Sequence, residues 1–138
     1  MRAIAEQQRT RNAGAFVAPW WLSPALAYWS DQPGAAGSSH ESLGGIADSA
    51  RIYLAPDANA ALPILKQRRV QWVLSDVPER IVPTSARILG VPEPAQCLAY
   101  QLDHHDAPPS EFPLEPDPGV RLPAGRDFFR VWRITPQP

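Results

Sequence analysis

VQWVLS, residues 70–75, reads as the clearest strand in the chain, with β-branched Val70 and Val73 and aromatic Trp72. It follows a helical pattern that ends in Lys66, Arg68 and Arg69, cations suited to a helix's negative end. A helix running directly into a strand is the feature that most limits the fold. Upstream, GAFVA at 14–18 is a second short apolar run ended by Pro19, which cannot donate to a ladder. Small residues at 34–37 suit a third, tightly packed strand, and FFRVWRI at 128–134 reads as a closing strand that pairs with VRL at 120–122.

Helical signals fill the gaps. Residues 2–12 read as a short helix or arm with little apolar stripe. In SPALAYWS at 23–30, Ser23 is the expected cap and Pro24 the first helical residue. Asp31–Gly34 reads as a turn. Leu43, Ile46, Ala47, Ala50, Tyr53 and Leu54 recur at helical spacing, and Asp57 or Asn59 caps a second pattern through Ala58, Ala61, Leu62 and Leu65. Pro63 is awkward inside that second pattern. Thr84 or Ser85 caps a short helix stopped by Gly90, and Pro94 opens another with Leu98 and Leu102 on one face.

Strands alternating with helices predict an α/β domain: a small, mainly parallel, Rossmann-like sheet with helices on both faces and a C-terminal edge strand or hairpin. The expected division is an N-terminal helix or arm at 1–13, an α/β core at 14–102, a proline-rich loop at 103–127 and a closing strand and tail at 128–138. The chain's 138 residues suit one domain.

Composition excludes several classes. Formal net charge is −1, with no basic cluster, so nothing offers the positive face that nucleic acid requires. Cys97 is the one cysteine, so it has no internal disulfide partner and reads as a small buried hydrophobe. No apolar run reaches the ~20 residues of a membrane span.

Two groups of residues invite a functional reading. Ser38-Ser39-His40-Glu41-Ser42 contains a hydroxyl, an imidazole and a carboxylate, the types used in acyl transfer, and a small hydrolase using Ser39 and His40 is one alternative. Adjacent residues rarely face one another, however, and Ser38-x-x-Glu41 has the form of a capping box. Ser38, Ser39, His40 and Glu41 are therefore expected beside a ligand rather than as catalysts. No catalytic residue, cofactor site or metal site is assigned; His104 and His105 read as a solvated loop, not ligands.

The second group is Trp20, Trp21, Tyr28 and Trp29. Aromatics anchor helices on sheets, but they also form recognition platforms. Ligands of parallel sheets lie beyond the carboxyl ends of the strands, where Trp20 and Trp21 fall. A free-standing α/β module with an aromatic recognition loop is the reading these residues support unaided.

The ordered pattern of AFVAP, Trp20-Trp21, a short helix ending in Tyr28-Trp29, the SDQPGAAGS turn, ARIYLAPDANAALPILKQRRVQWVLSD and FFRVWRI resembles the extracytoplasmic C-terminal domain of large multi-span GT-C-class glycosyltransferases. Oligosaccharyltransferase catalytic subunits are their best-known members. The likeness covers residues 14–77 and 128–134. It implies a periplasmic accessory or acceptor-side domain of a bacterial inner-membrane protein, not catalytic by itself. The implied partners are the transmembrane part of its own chain and a glycan or peptide acceptor. The chain departs from the family's W-W-D-Y-G motif, since Leu22-Ser23-Pro24 follows the tryptophan pair. Only Trp20 and Trp21 carry over, as an acceptor-side or membrane-side surface.

Overall fold

The computed structural model describes residues 1–36, 43–103, 113–117 and 129–135. In chain order the elements are α1 (Arg2–Arg11), β1 (Phe16–Val17), α2 (Ser23–Ser30), α3 (Leu43–Leu54), α4 (Ala58–Gln67), β2 (Trp72–Ser75), α5 (Pro78–Leu89), α6 (Leu98–Asp103), β3 (Leu114–Pro116) and β4 (Arg130–Ile134). The sheet order is β1-β2-β4-β3. This is the α/β architecture that the alternation implies.

Parallel pairing is confined to one side of the sheet. Phe16 lies opposite Trp72 and Val17 opposite Val73 in the parallel β1–β2 pair, and Gly34 makes a further parallel bridge to Phe16. On the other side β4 runs antiparallel to β2 and to β3. The closing strand is thus interior, and its outer partner is Leu114–Pro116, a strand inside the segment expected to be loop. Residues 120–122, the partner expected from sequence, lie outside the described residues.

Period-two alternation assigns the strand residues to two cores. Phe16, Trp72, Leu74 and Val131 pack with Ile4, Ala5 and Leu26 of α1 and α2. Val17, Val73 and Trp132 face the opposite way, into a larger cluster with Ile52, Tyr53, Leu65, Ile81, Leu98 and Leu102. α1 and α2 therefore cover one face and α3 to α6 the other.

Several local expectations are corrected. The Ser23 hydroxyl does not cap α2. It donates back to the carbonyls of Ala18 and Pro19, and Leu22 is the N-cap. α5 starts at Pro78, not at Thr84 or Ser85. Pro78 sits at the first helical position, where its missing N–H is no loss, and the helix continues through Pro83 to Gly90, whose φ of 64° is left-handed. On α3 the buried residues are Gly45, Ser49, Ala50, Ile52 and Tyr53, whereas Leu43 is exposed. The helix is turned from its expected stripe because small residues face the closest contact. A Cβ on Gly45 would lie 2.0 Å from the Ala35 carbonyl oxygen. Within the segment expected as a proline-rich loop, Glu115 and Asp117 pair with Arg133 and Arg11, and the Asp117 side chain is buried.

Other expectations match the structure. Asp57 caps α4, accepting from the Ala60 N–H at 2.8 Å. Cys97 is buried, and Leu98 and Leu102 share the buried side of α6. The α3–α4 pair is clamped by Asp48, which accepts from Arg68 at 2.9 Å and from Arg51 at 2.8 Å. Burial by itself raises the Asp48 pKa, but the hydrogen bonds and charges of the two arginines outweigh it and hold the carboxyl below its ordinary value.

Candidate functional site at the carboxyl ends of the parallel strands

β1 and β2 run in the same direction, so their carboxyl ends open on one end of the sheet. Ala18-Pro19-Trp20-Trp21 leaves β1 there, and Asp76-Val77 leaves β2 there. The parallel bridge at Gly34 sends residues 35 and 36 toward the same end. Ser38, Ser39, His40 and Glu41 lie outside the described residues, as do His104 and His105.

The aromatic residues divide between the two roles weighed for them. Trp20 and Trp21 meet edge to face, with ring centroids 6.4 Å apart and planes at 89°. Trp21 packs against the larger core while Trp20 is 44% exposed. The same split recurs on α2, where Trp29 packs against the smaller core and Tyr28 is 83% exposed. One member of each pair therefore holds the chain in place and the other reaches solvent.

Asp76 is the residue that the sequence reading missed. It directly follows β2, and its side chain is 1% exposed. Oδ1 accepts from the Val77 N–H at 2.8 Å; Oδ2 makes no hydrogen bond and lies 3.6 Å from Arg80 Nη1. An acidic residue immediately after the clearest strand was the available signal, since it obeys the same carboxyl-end rule that singled out the tryptophans. Beside it, Ser75 accepts from the Trp132 indole N–H at 3.1 Å, and Tyr53 donates to the Leu74 carbonyl at 2.6 Å.

Burial pushes the Tyr53 phenol well above its ordinary pKa of 10.0, and the charge of Asp76 adds to the shift. The native state therefore keeps this proton where the unfolded chain releases it. Stability is fully present below the unfolded-state pKa and falls as pH rises beyond it. Alkaline denaturant titrations are expected to show that decline, and Tyr53→Phe to flatten it while costing about 1 kcal/mol at neutral pH for the lost hydrogen bond. An unchanged alkaline slope in the variant would contradict the assignment.

Chemically, this end of the sheet offers a buried carboxylate, a protonated phenol and an exposed indole. Among the described residues no nucleophile and base stand together, and no three His, Cys, Asp or Glu side chains group to hold a metal. No described helix is long and apolar enough to cross a membrane.

No protein-family model and no curated protein sequence matches the chain. The crystal structure of the C-terminal globular domain of an oligosaccharyltransferase from Archaeoglobus fulgidus aligns with it at a TM-score of 0.71. The two share one fold. Their sequences are 13% identical, and the alignment covers 95% of this chain and 94% of that domain. At that identity the shared property is the architecture: the elements and their order extend over nearly the whole of both chains.

Proposed function

We propose that the chain is an extracytoplasmic accessory or acceptor-side domain of a bacterial GT-C-like membrane glycosyltransferase, without catalytic activity of its own. The observation that carries this reading is the near full-length match in fold to the globular domain of the Archaeoglobus fulgidus oligosaccharyltransferase. The sequence resemblance, noted independently on the tryptophan pair and the strand-helix order, points the same way. In this reading the transmembrane part of the same polypeptide supplies the acidic and metal-binding loops. The exposed Trp20 side faces the acceptor or the membrane, with Ser38, Ser39, His40 and Glu41 proposed as neighbours. The chain itself needs no cofactor, nucleic acid or disulfide partner.

The test is where the protein resides in its own cell. Antibodies raised against this chain are expected to detect a polypeptide far larger than 15.2 kDa, in the membrane fraction and open to protease from the periplasmic side. A soluble product of the size of this chain would overturn the reading in favour of the free-standing binding module.

A further inference from the structure

From Asn12 to Ser30 the sequence has no charged residue. Part of that stretch is on the surface, in an ordered arrangement. The turn after β1 runs into α2 as helical backbone. The Leu22 and Ser23 N–H groups donate to the Pro19 carbonyl, and the Leu26 N–H donates to the Leu22 carbonyl. Trp20, Pro24 and Tyr28 then recur four residues apart on one side of this helical unit. All three are exposed, whereas Ser23, Leu26 and Ser30 on the other side are buried.

The shape and polarity of this stripe narrow its occupant. A small-molecule ligand is held in a concavity with placed polar groups. Here the aromatic side chains project, Tyr28 almost fully. The serine hydroxyls of the helix are engaged internally: Ser23 bonds the Ala18 and Pro19 carbonyls, and Ser30 accepts from the Gln32 N–H. Two clefts of the molecule are lined elsewhere, one by Arg51, Leu54, Leu89 and Val91, the other by Arg11, Gln71, Asp117 and Arg133. Trp and Tyr, with apolar bodies and polar tips, are the side chains that settle at a membrane–water interface. Charge decides the lipid class. The cation seen beside it, Arg2, lies 5.9 Å over the Trp29 ring and is paired with Glu6 at 3.0 Å, and residues 12–30 carry no charge of their own, so among these described residues no unpaired cation stands in the stripe.

We propose that the Trp20–Pro24–Tyr28 stripe is a membrane-contacting surface that takes the net-neutral interfacial zone of a zwitterionic phospholipid bilayer. The proposed function enters only in placing a bilayer nearby; the contact belongs to this chain. A few aromatics give a weak, reversible contact. That suffices for a domain tethered to the membrane, where the effective concentration of bilayer is high.

Sedimentation with sucrose-loaded phosphatidylcholine vesicles at millimolar lipid tests it. A bound fraction that rises with lipid and does not fall with added salt is expected. The Trp20→Ala/Tyr28→Ser double variant should lower the partition coefficient by about tenfold or more, from the apolar area it removes. Both side chains are exposed, so its thermal transition should match that of the parent. Val91→Ser, which removes an exposed apolar side chain elsewhere, should bind as the parent does. Phosphatidylcholine bearing bromine on the acyl chains should quench tryptophan emission in the parent more than in Trp20→Ala. No sedimentation, undiminished binding by the double variant, or binding only to phosphatidylglycerol that salt abolishes would each overturn the proposal. Such a failure leaves the membrane-fraction experiment untouched, so the two readings fail separately.

Discussion

Replacing Trp72 by alanine is expected to lower the free energy of unfolding by about 3–5 kcal/mol, the usual cost of emptying a large buried aromatic site. Trp72 is 1% exposed and stands in the second position of its sheet, between β1 and β4. Its ring packs on Phe16 with centroids 4.8 Å apart, within the cluster that holds α1 and α2 to the sheet. Its indole N–H also donates to the Gly14 carbonyl at 2.9 Å, in the turn whose φ of 90° leads into β1. The variant therefore loses transfer energy, leaves a cavity and releases that carbonyl at once. A domain typically has only about 5–15 kcal/mol in total. Denaturant titration should show the transition displaced to much lower concentration. Trp20→Ala is the comparison, because a partly exposed surface residue is expected to change stability by no more than about 0.5 kcal/mol. Equal losses in the two variants would contradict the placement of both tryptophans.

The second large effect has an inverted sign. Glycine inside a helix normally costs about 1 kcal/mol relative to alanine. By that rule Gly44→Ala and Gly45→Ala should both stabilise α3. The tertiary structure separates them. Among the described residues, a Cβ at position 44 meets the Arg68 Nη2 atom at 3.5 Å, an ordinary contact with the end of a flexible side chain. A Cβ at position 45 lies 2.0 Å from the Ala35 carbonyl oxygen and 3.1 Å from its carbon. Backbone cannot rotate aside, so either α3 or residues 35–36 must move. Gly45→Ala is expected to destabilise by about 2 kcal/mol or more, as overpacking does, while Gly44→Ala stabilises by up to about 1 kcal/mol. Thermal melts of the two variants that shifted in the same direction would contradict this helix contact.

The contrast between these glycines shows where sequence reading stops. Helical periodicity marked Leu43, Ile46 and Ala47 as buried, yet Leu43 is exposed and Gly45 carries the contact. A hydrophobic stripe reports which side chains gain from leaving water. It does not report where two backbones must approach closely enough that only glycine fits. The prolines misled for a related reason. Pro63 read as awkward in a helix and α5 was expected to start at Thr84 or Ser85, but α4 carries Pro63 inside it and α5 starts at Pro78 and carries Pro83.

At the candidate site the sequence singled out the Trp20–Trp21 pair and its location at a strand's carboxyl end. It could not say which indole faces solvent, because consecutive residues leave a turn in directions set by the packing around them. Asp76 went unnoticed for the same reason. Nothing in a lone aspartate signals that its carboxylate is buried with one oxygen making no hydrogen bond.

By itself the sequence determined the α/β class, the clearest strand at 70–75, the start of α4 at Asp57 or Asn59, and the resemblance carried by the aromatic order. These depend on local chemistry: backbone propensity, capping and short-range periodicity act within a few residues of one another. Only the tertiary structure decided that parallel pairing is confined to the β1–β2 side of the sheet, that β4 is interior, that Asp76 joins Trp20 at one end of the sheet, and that Trp20, Pro24 and Tyr28 form one exposed stripe. Each of those depends on contacts between residues far apart in the chain. Their geometry comes from filling two cores at once, which no local pattern records.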